Sequence, residues 1–129
     1  MNVERAHIAV AFAYVVLGMC YGVFMAASKD HSLHVVHAHI LLVGFVTSFI
    51  YGVTYRLWVA EGLRGRVAVI QFWLHHVGAF VMVTGLTLLY RGIYPEDVLG
   101  PVLGLSSISV LLSALLMAYL YARSSGTPS

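Results

Sequence analysis

Four apolar runs, each about as long as the ~20 residues an α-helix needs to cross the hydrocarbon of a bilayer, dictate what this chain can become. They cover roughly residues 6–27, 33–59, 67–90 and 98–122. Only 9% of the 129 residues are charged and the mean hydropathy is +0.90, whereas soluble domains carry about 25% charged residues. The links Lys29–Ser32, Ala60–Arg66 and Arg91–Asp97 are short, and short links between long helices make antiparallel neighbours. The expectation is an all-α, integral membrane, up-down four-helix bundle that forms a single domain over residues 1–129, with a frayed polar tail from Arg123 to Ser129.

Basic residues near the helix ends set the expected orientation. Arg5, Arg56, Arg64, Arg66 and Arg123 fall on one side, against Lys29 and Arg91 on the other, where Asp30, Glu96 and Asp97 also lie. Both termini are therefore expected to be cytoplasmic. The first run follows Arg5 as a signal peptide would. It is longer than the ~7–15 residues of a signal core and no small-residue cleavage site follows, so it reads as a retained transmembrane helix. A net charge of +2, scattered along the chain, argues against nucleic-acid binding. The single cysteine, Cys20, rules out an intrachain disulfide and any cysteine-cluster metal site, and mid-span it reads as a small packing residue.

Each run carries small or polar residues at helical spacing. They are His7, Ala11, Tyr14, Gly18, Gly22 and Met25 in the first, and His37, Leu41, Gly44, Ser48, Gly52 and Tyr55 in the second. The third has Gln71, His75, Gly78, Met82 and Gly85, and the fourth Gly100, Gly104, Ser107, Leu111, Ala114 and Ala118. Small residues allow close helix contact in lipid, so these stripes are expected to face the bundle or a second subunit. Glycines can alternatively make room for a flat cofactor.

Seven histidines are distributed over these runs, four of them between His31 and His39. An imidazole carried into hydrocarbon is costly to desolvate without a partner. The partner is a haem iron, another metal, or a hydrogen-bonding group. His31 and His34 share a helix face and read either as solvated residues or, with His37, as a Cu or Zn site. His37 and His39 point about 200° apart, so they cannot serve one iron. His37 falls on the small-residue stripe and is expected to face inward. His39 shares a stripe with Val43, Val46, Ile50 and Val53 that faces lipid or a subunit. His75 is expected to face inward. His76, rotated by about 100°, joins Phe80 and Val83. His7 reads as interfacial. Two neutral imidazoles can hold iron from opposite faces of a porphyrin covered by apolar helices. With no C-x-x-C-H sequence the group would be non-covalent haem b.

Depth restricts the pairing. At ~1.5 Å per residue, His37 lies roughly 13 Å to the outer side of its helix centre and His75 about 5 Å to the inner side of its own. The gap of roughly 18 Å is too large for one iron, and His39 narrows it only to about 15 Å. Either His37 or His39 pairs with its copy in a twofold homodimer, or His75 or His76 pairs with His7.

The segment IAVAFAYVVLGMCYGVFMAASKD followed by HVVHAHILLVGFVTSFIYGVTYRLW resembles the first two helices of haem-copper oxidase subunit I, in its nitric oxide reductase and cbb3-type branch. FWLHHVGAFVMVTGLTLL resembles the third helix of the short four-helix relatives of that subunit. The resemblance covers roughly residues 8–90. It implies haem binding and electron handling in a bacterial or archaeal cytoplasmic membrane, with an axial histidine near the outer side of the second helix at His37 or His39. The full subunit has many more helices, and they carry its binuclear centre, so oxygen reduction is not implied.

The sequence thus leads to a membrane haem b protein for electron transfer or for sensing a diatomic gas or redox state. The expected ligands are His37 (or His39) and His75 (or His76, with His7 as a further alternate), and Gly44, Gly78 and Gly85 allow close approach. Two alternatives remain: a Cu- or Zn-binding or transport protein using His31, His34 and His37, and an accessory subunit of a respiratory complex. No paired carboxylates, nucleophile constellation or phosphate loop lies in the apolar runs, and the sequence does not specify a redox partner.

Overall fold

A computed structural model describes residues 1–124; most of the expected frayed tail lies outside the described residues. Four helices are long and apolar enough to cross a membrane: α1 (Val3–Ser28), α2 (His34–Leu57), α3 (Arg66–Tyr90) and α4 (Glu96–Ser124). Among the described residues there is no strand. α1 begins where the Asn2 side chain accepts the Arg5 N–H at 3.1 Å, satisfying one of the orphan donors of a first helical turn. It ends at Lys29, whose φ of 57° puts it in the left-handed region. Asp30 then accepts the Ser32 N–H at 3.0 Å. That bond, with the Ser32 hydroxyl and Arg91 guanidinium beside it, holds the Asp30 carboxyl below the usual carboxylate range.

α2 is irregular. His34–His39 and Ser48–Leu57 are α-helical, and the eight residues Ile40–Thr47 between them are π-helical. The widened turns end at Ser48, the first of the residues through which α2 meets the interior histidines. Single π-turns commonly mark such sites, and nothing in the apolar spacing of the sequence announces this one.

The helices run up, down, up and down. One buried cluster joins Val3 of α1, Tyr51 and Tyr55 of α2, Ala68 and Phe72 of α3, and Met117 and Leu120 of α4. Both described chain ends therefore lie at the same end of the molecule. The second cluster, toward the opposite end, joins Tyr14 and Met25 to Leu33, Val36, Ile40, Ala79 and Val83, and α4 contributes nothing to it. α4 instead lies along α3, in contact with its glycines. A Cβ on Gly78 would come within 3.1 Å of the Ser106 carbonyl and of Ser109. One on Gly85 would come within 2.9 Å of Leu103. Gly44 leaves room for the Tyr14 ring, 2.5 Å from where its Cβ would be. These three glycines allow close approach of helix to helix.

The inward stripe expected for α3 is buried in full, and a second row, Ala68, Phe72, His76, Ala79 and Val83, is buried beside it. The stripe expected for α4 is not. Leu99, Ser106, Ser113, Met117, Leu120 and Ser124 are its buried positions, while Gly104, Ser107, Leu111, Ala114 and Ala118 are exposed. The reason is that α4 has one neighbouring helix along most of its length, so most of its circumference is outside. Its small-residue row does not seat it in the bundle.

Replacing Gly78 by Leu should force α4 away from α3 and cost ~1–3 kcal/mol, as overpacking does. Gly104→Leu, at a position with nothing within 4 Å of the added Cβ, should change stability by less than about 0.5 kcal/mol. Unfolding of the two variants in detergent, followed by circular dichroism, tests the contrast.

Candidate functional site: two sets of histidines

The interior set is built from all four helices. Ser113 of α4 donates its hydroxyl proton to the Gln71 main-chain carbonyl at 3.0 Å, so its oxygen accepts the Gln71 side-chain amide N–H at 2.9 Å. That orients the amide. Gln71 Oε1 faces away from α4 and accepts the Tyr55 hydroxyl at 2.9 Å and His7 Nε2–H at 3.0 Å. A neutral imidazole carries one N–H, so His7 Nδ1 is an acceptor. His76 Nε2–H donates to it at 2.9 Å. Each proton position follows from the one before.

His75 stands beside this chain, with Nε2 2.9 Å from the Ser48 hydroxyl of α2. Aromatic rings enclose the group: Tyr55 stacks on His7 at 5.7 Å, and Tyr51 meets His75 edge-on at 5.0 Å. His7, His75, Gln71, Ser48 and Ser113 have no exposed surface, and His76 is 8% exposed. Two nitrogens are left over. Nδ1 of His75 and Nδ1 of His76 are buried with no hydrogen bond, although at His75 the Val43 backbone interacts over a longer range. Buried polar atoms without partners are rare.

The outer set lies along the first turns of α2. His37 Nδ1 donates to the Gly18 carbonyl of α1 at 2.9 Å, and its ring lies over Gly22, whose Cβ would come within 3.1 Å of His37 Cε1. The G-x-x-x-G of α1 is the seat of this imidazole. His39 Nδ1 bonds the Val35 carbonyl at 2.8 Å and His34 Nδ1 the His31 carbonyl at 2.9 Å. A carbonyl oxygen only accepts, so in each neutral ring the proton is on Nδ1 and Nε2 presents a bare lone pair. His37 and His39 are half-buried, while His31 and His34 are exposed.

Several expectations change here. His7, read as interfacial, is fully buried because Gln71 and His76 supply the partners that hydrocarbon cannot. His37 was expected to face inward. It lies on the α1 flank, and Val36 and Ile40 turn toward α3 instead. His76 is buried on α1, while Phe80 on the same expected row is 66% exposed. The separation in depth holds: His75 is level with Ser48, about 15 Å along α2 from His37. His7 and His76 are brought together. His31, His34 and His37 are not gathered, and among the described residues no three His, Cys, Asp or Glu side chains form a metal-binding group. Gln71, Ser48 and Tyr55 lay on stripes legible in the sequence, and a glutamine in mid-helix was the available sign of a polar centre. Ser113 was missed because the fourth stripe ran through its neighbours.

Comparison with protein-family models, with curated proteins and with solved structures finds no match. The fold and site define an all-helical protein with four helices of membrane-spanning length, an interior polar chain and a separate outer row of histidines.

Gln71→Leu removes the acceptor shared by His7 and Tyr55 and the donor to Ser113, and should cost roughly 1–3 kcal/mol in detergent unfolding. Long-range 15N–1H correlation of the neutral protein should find His7 and His76 as Nε2–H tautomers and His34, His37 and His39 as Nδ1–H tautomers. An Nδ1–H signal from His7 would overturn the chain of donors described above.

Proposed function

We propose that this chain is a multi-pass membrane protein that binds haem b and transfers electrons, with its termini on the cytoplasmic side. Large apolar side chains such as Phe12, Leu42, Ile50, Phe80 and Leu105 cover its exterior, as lipid contact requires. The end bearing the termini carries Arg5, Arg56, Arg64, Arg66 and Arg123, the excess expected on the cytoplasmic side. Glu4 there bonds Arg56 at 3.3 Å and Arg64 at 2.9 Å.

The observation that carries the haem reading is the state of His37. An axial imidazole has one nitrogen bare for the metal and the other held by a carbonyl or carboxylate that fixes its tautomer and orientation. Nε2 and Nδ1 of His37 meet these two conditions in an apolar, half-buried setting, and the resemblance that implies haem binding implies an axial histidine here or at His39. His75 and His76 fit less directly. Their Nε2 atoms are bonded, so ligation through Nε2 requires Ser48 or His7 to release the ring, and their free Nδ1 atoms leave that interior set, with His7, as a candidate second level. Bound haem supplies a one-electron iron couple; the chain's own part is to hold the imidazole and exclude water.

A second reading has one observation in its favour. His34 and His37 are a helical turn apart and both present bare Nε2 atoms, the donor type that Cu and Zn take.

Protein purified in detergent from haem-replete cells should show a sharp Soret band and, once reduced, resolved α and β bands, and His37→Ala should lower the haem content. A colourless preparation defeats the haem reading. Stoichiometric copper or zinc without iron in elemental analysis favours the second.

A further inference from the structure

The seat of His37 offers one imidazole of the two that a bis-imidazole haem site takes. Nδ1 is taken by Gly18 of α1, so Nε2 is the ligating atom, and a bis-imidazole site needs a second ring at the same depth on the opposite side of the porphyrin. No other histidine of the chain meets that requirement. His39 points about 200° away around the same helix. His34 and His31 are exposed at the helix end, and His34 is a turn above His37 on the same element. His7, His75 and His76 are level with Ser48 and Gln71, about 15 Å deeper. Resting on the haem reading above, we propose that the site is completed by a second copy of this chain, with one haem held between His37 and His37 of the partner subunit.

Symmetry supplies what the single chain lacks. A twofold axis along the bilayer normal repeats His37 at the same depth, in the same tautomer and facing the opposite way, as a self-complementary interface does. The position of the ring allows it. His37 bonds α1, whereas Val36 and Ile40 are the α2 residues clustered with Ala79 and Val83 of α3. It is half-buried, and Ala38 next to it is small and exposed. His37 is preferred over His39 because the Gly18 carbonyl is on a different helix from His37, so the ring is clamped between two elements. His39 bonds a carbonyl of its own helix and has no such clamp. Gly22 is a positioning residue in this site, because any side chain there meets the His37 ring.

The test uses the full chain in mild detergent, with haem measured by pyridine haemochrome, chain by amino-acid analysis and mass by native mass spectrometry. The expected result is a dimer with about one haem for every two chains. His37→Ala should lose haem by about tenfold or more, Gly22→Leu should lower it severalfold and shift the low-spin EPR signal, and His39→Ala should retain it. His37→Gly with added imidazole should recover the low-spin spectrum, separating ligation from folding. One haem per chain on a monomer, or full haem content in His37→Ala, overturns the shared site while leaving a haem protein. Absence of haem from the wild type overturns the haem reading and the shared site with it.

Discussion

The amide of Gln71 is the interaction on which the rest of this structure depends. It accepts hydrogen bonds from His7 of α1 and Tyr55 of α2, donates one to Ser113 of α4, and sits on α3. In an apolar interior each of these groups would be costly without its partner. Together they tie four helices at one level, and they fix the proton on His7 and so on His76. Apolar side chains pack equally well against lipid and against one another, so polar contacts of this kind and close backbone approach carry much of the specificity between membrane helices.

Close approach is the second device, and glycine provides it. Gly78 and Gly85 let α4 lie against α3, Gly44 admits the ring of Tyr14, and Gly18 and Gly22 receive Leu41 and His37. The π-helical turns of α2 belong with these. They lie between the outer histidines and Ser48, so His37 and Ser48, which regular spacing puts on one stripe, are on segments of different helical phase. His37 is thereby held on α1, while Ser48 of the same helix reaches His75 in the interior.

That division gives the histidines different chemistry. The interior rings spend Nε2 on Ser48 and His7 and keep Nδ1 free. The outer rings spend Nδ1 on carbonyls and keep Nε2 free. The first arrangement binds helices together. The second leaves a bare Nε2, which is the feature the proposed haem reading and the choice of His37 rest on.

Hydropathy and spacing alone specified four helices, their up-down order, the buried rows of α1 and α3, and that of α2 from Gly44 to Tyr55, because a helix with several neighbours must turn its small and polar residues toward them; before Gly44 the buried positions are Val36 and Ile40, not His37 and Leu41. The same spacing also put His37 and His75 at different depths, which is a matter of counting residues. It misjudged α4, where a single neighbour on α3 leaves both candidate faces free to be outermost. It misjudged His7, since burial of a histidine depends on whether another helix brings an acceptor, and Gln71 is 64 residues away in sequence. The π-turns and the proton positions were decided only by tertiary structure: both follow from which carbonyls and hydroxyls of other helices come within hydrogen-bond distance, and periodicity within one helix carries no record of them.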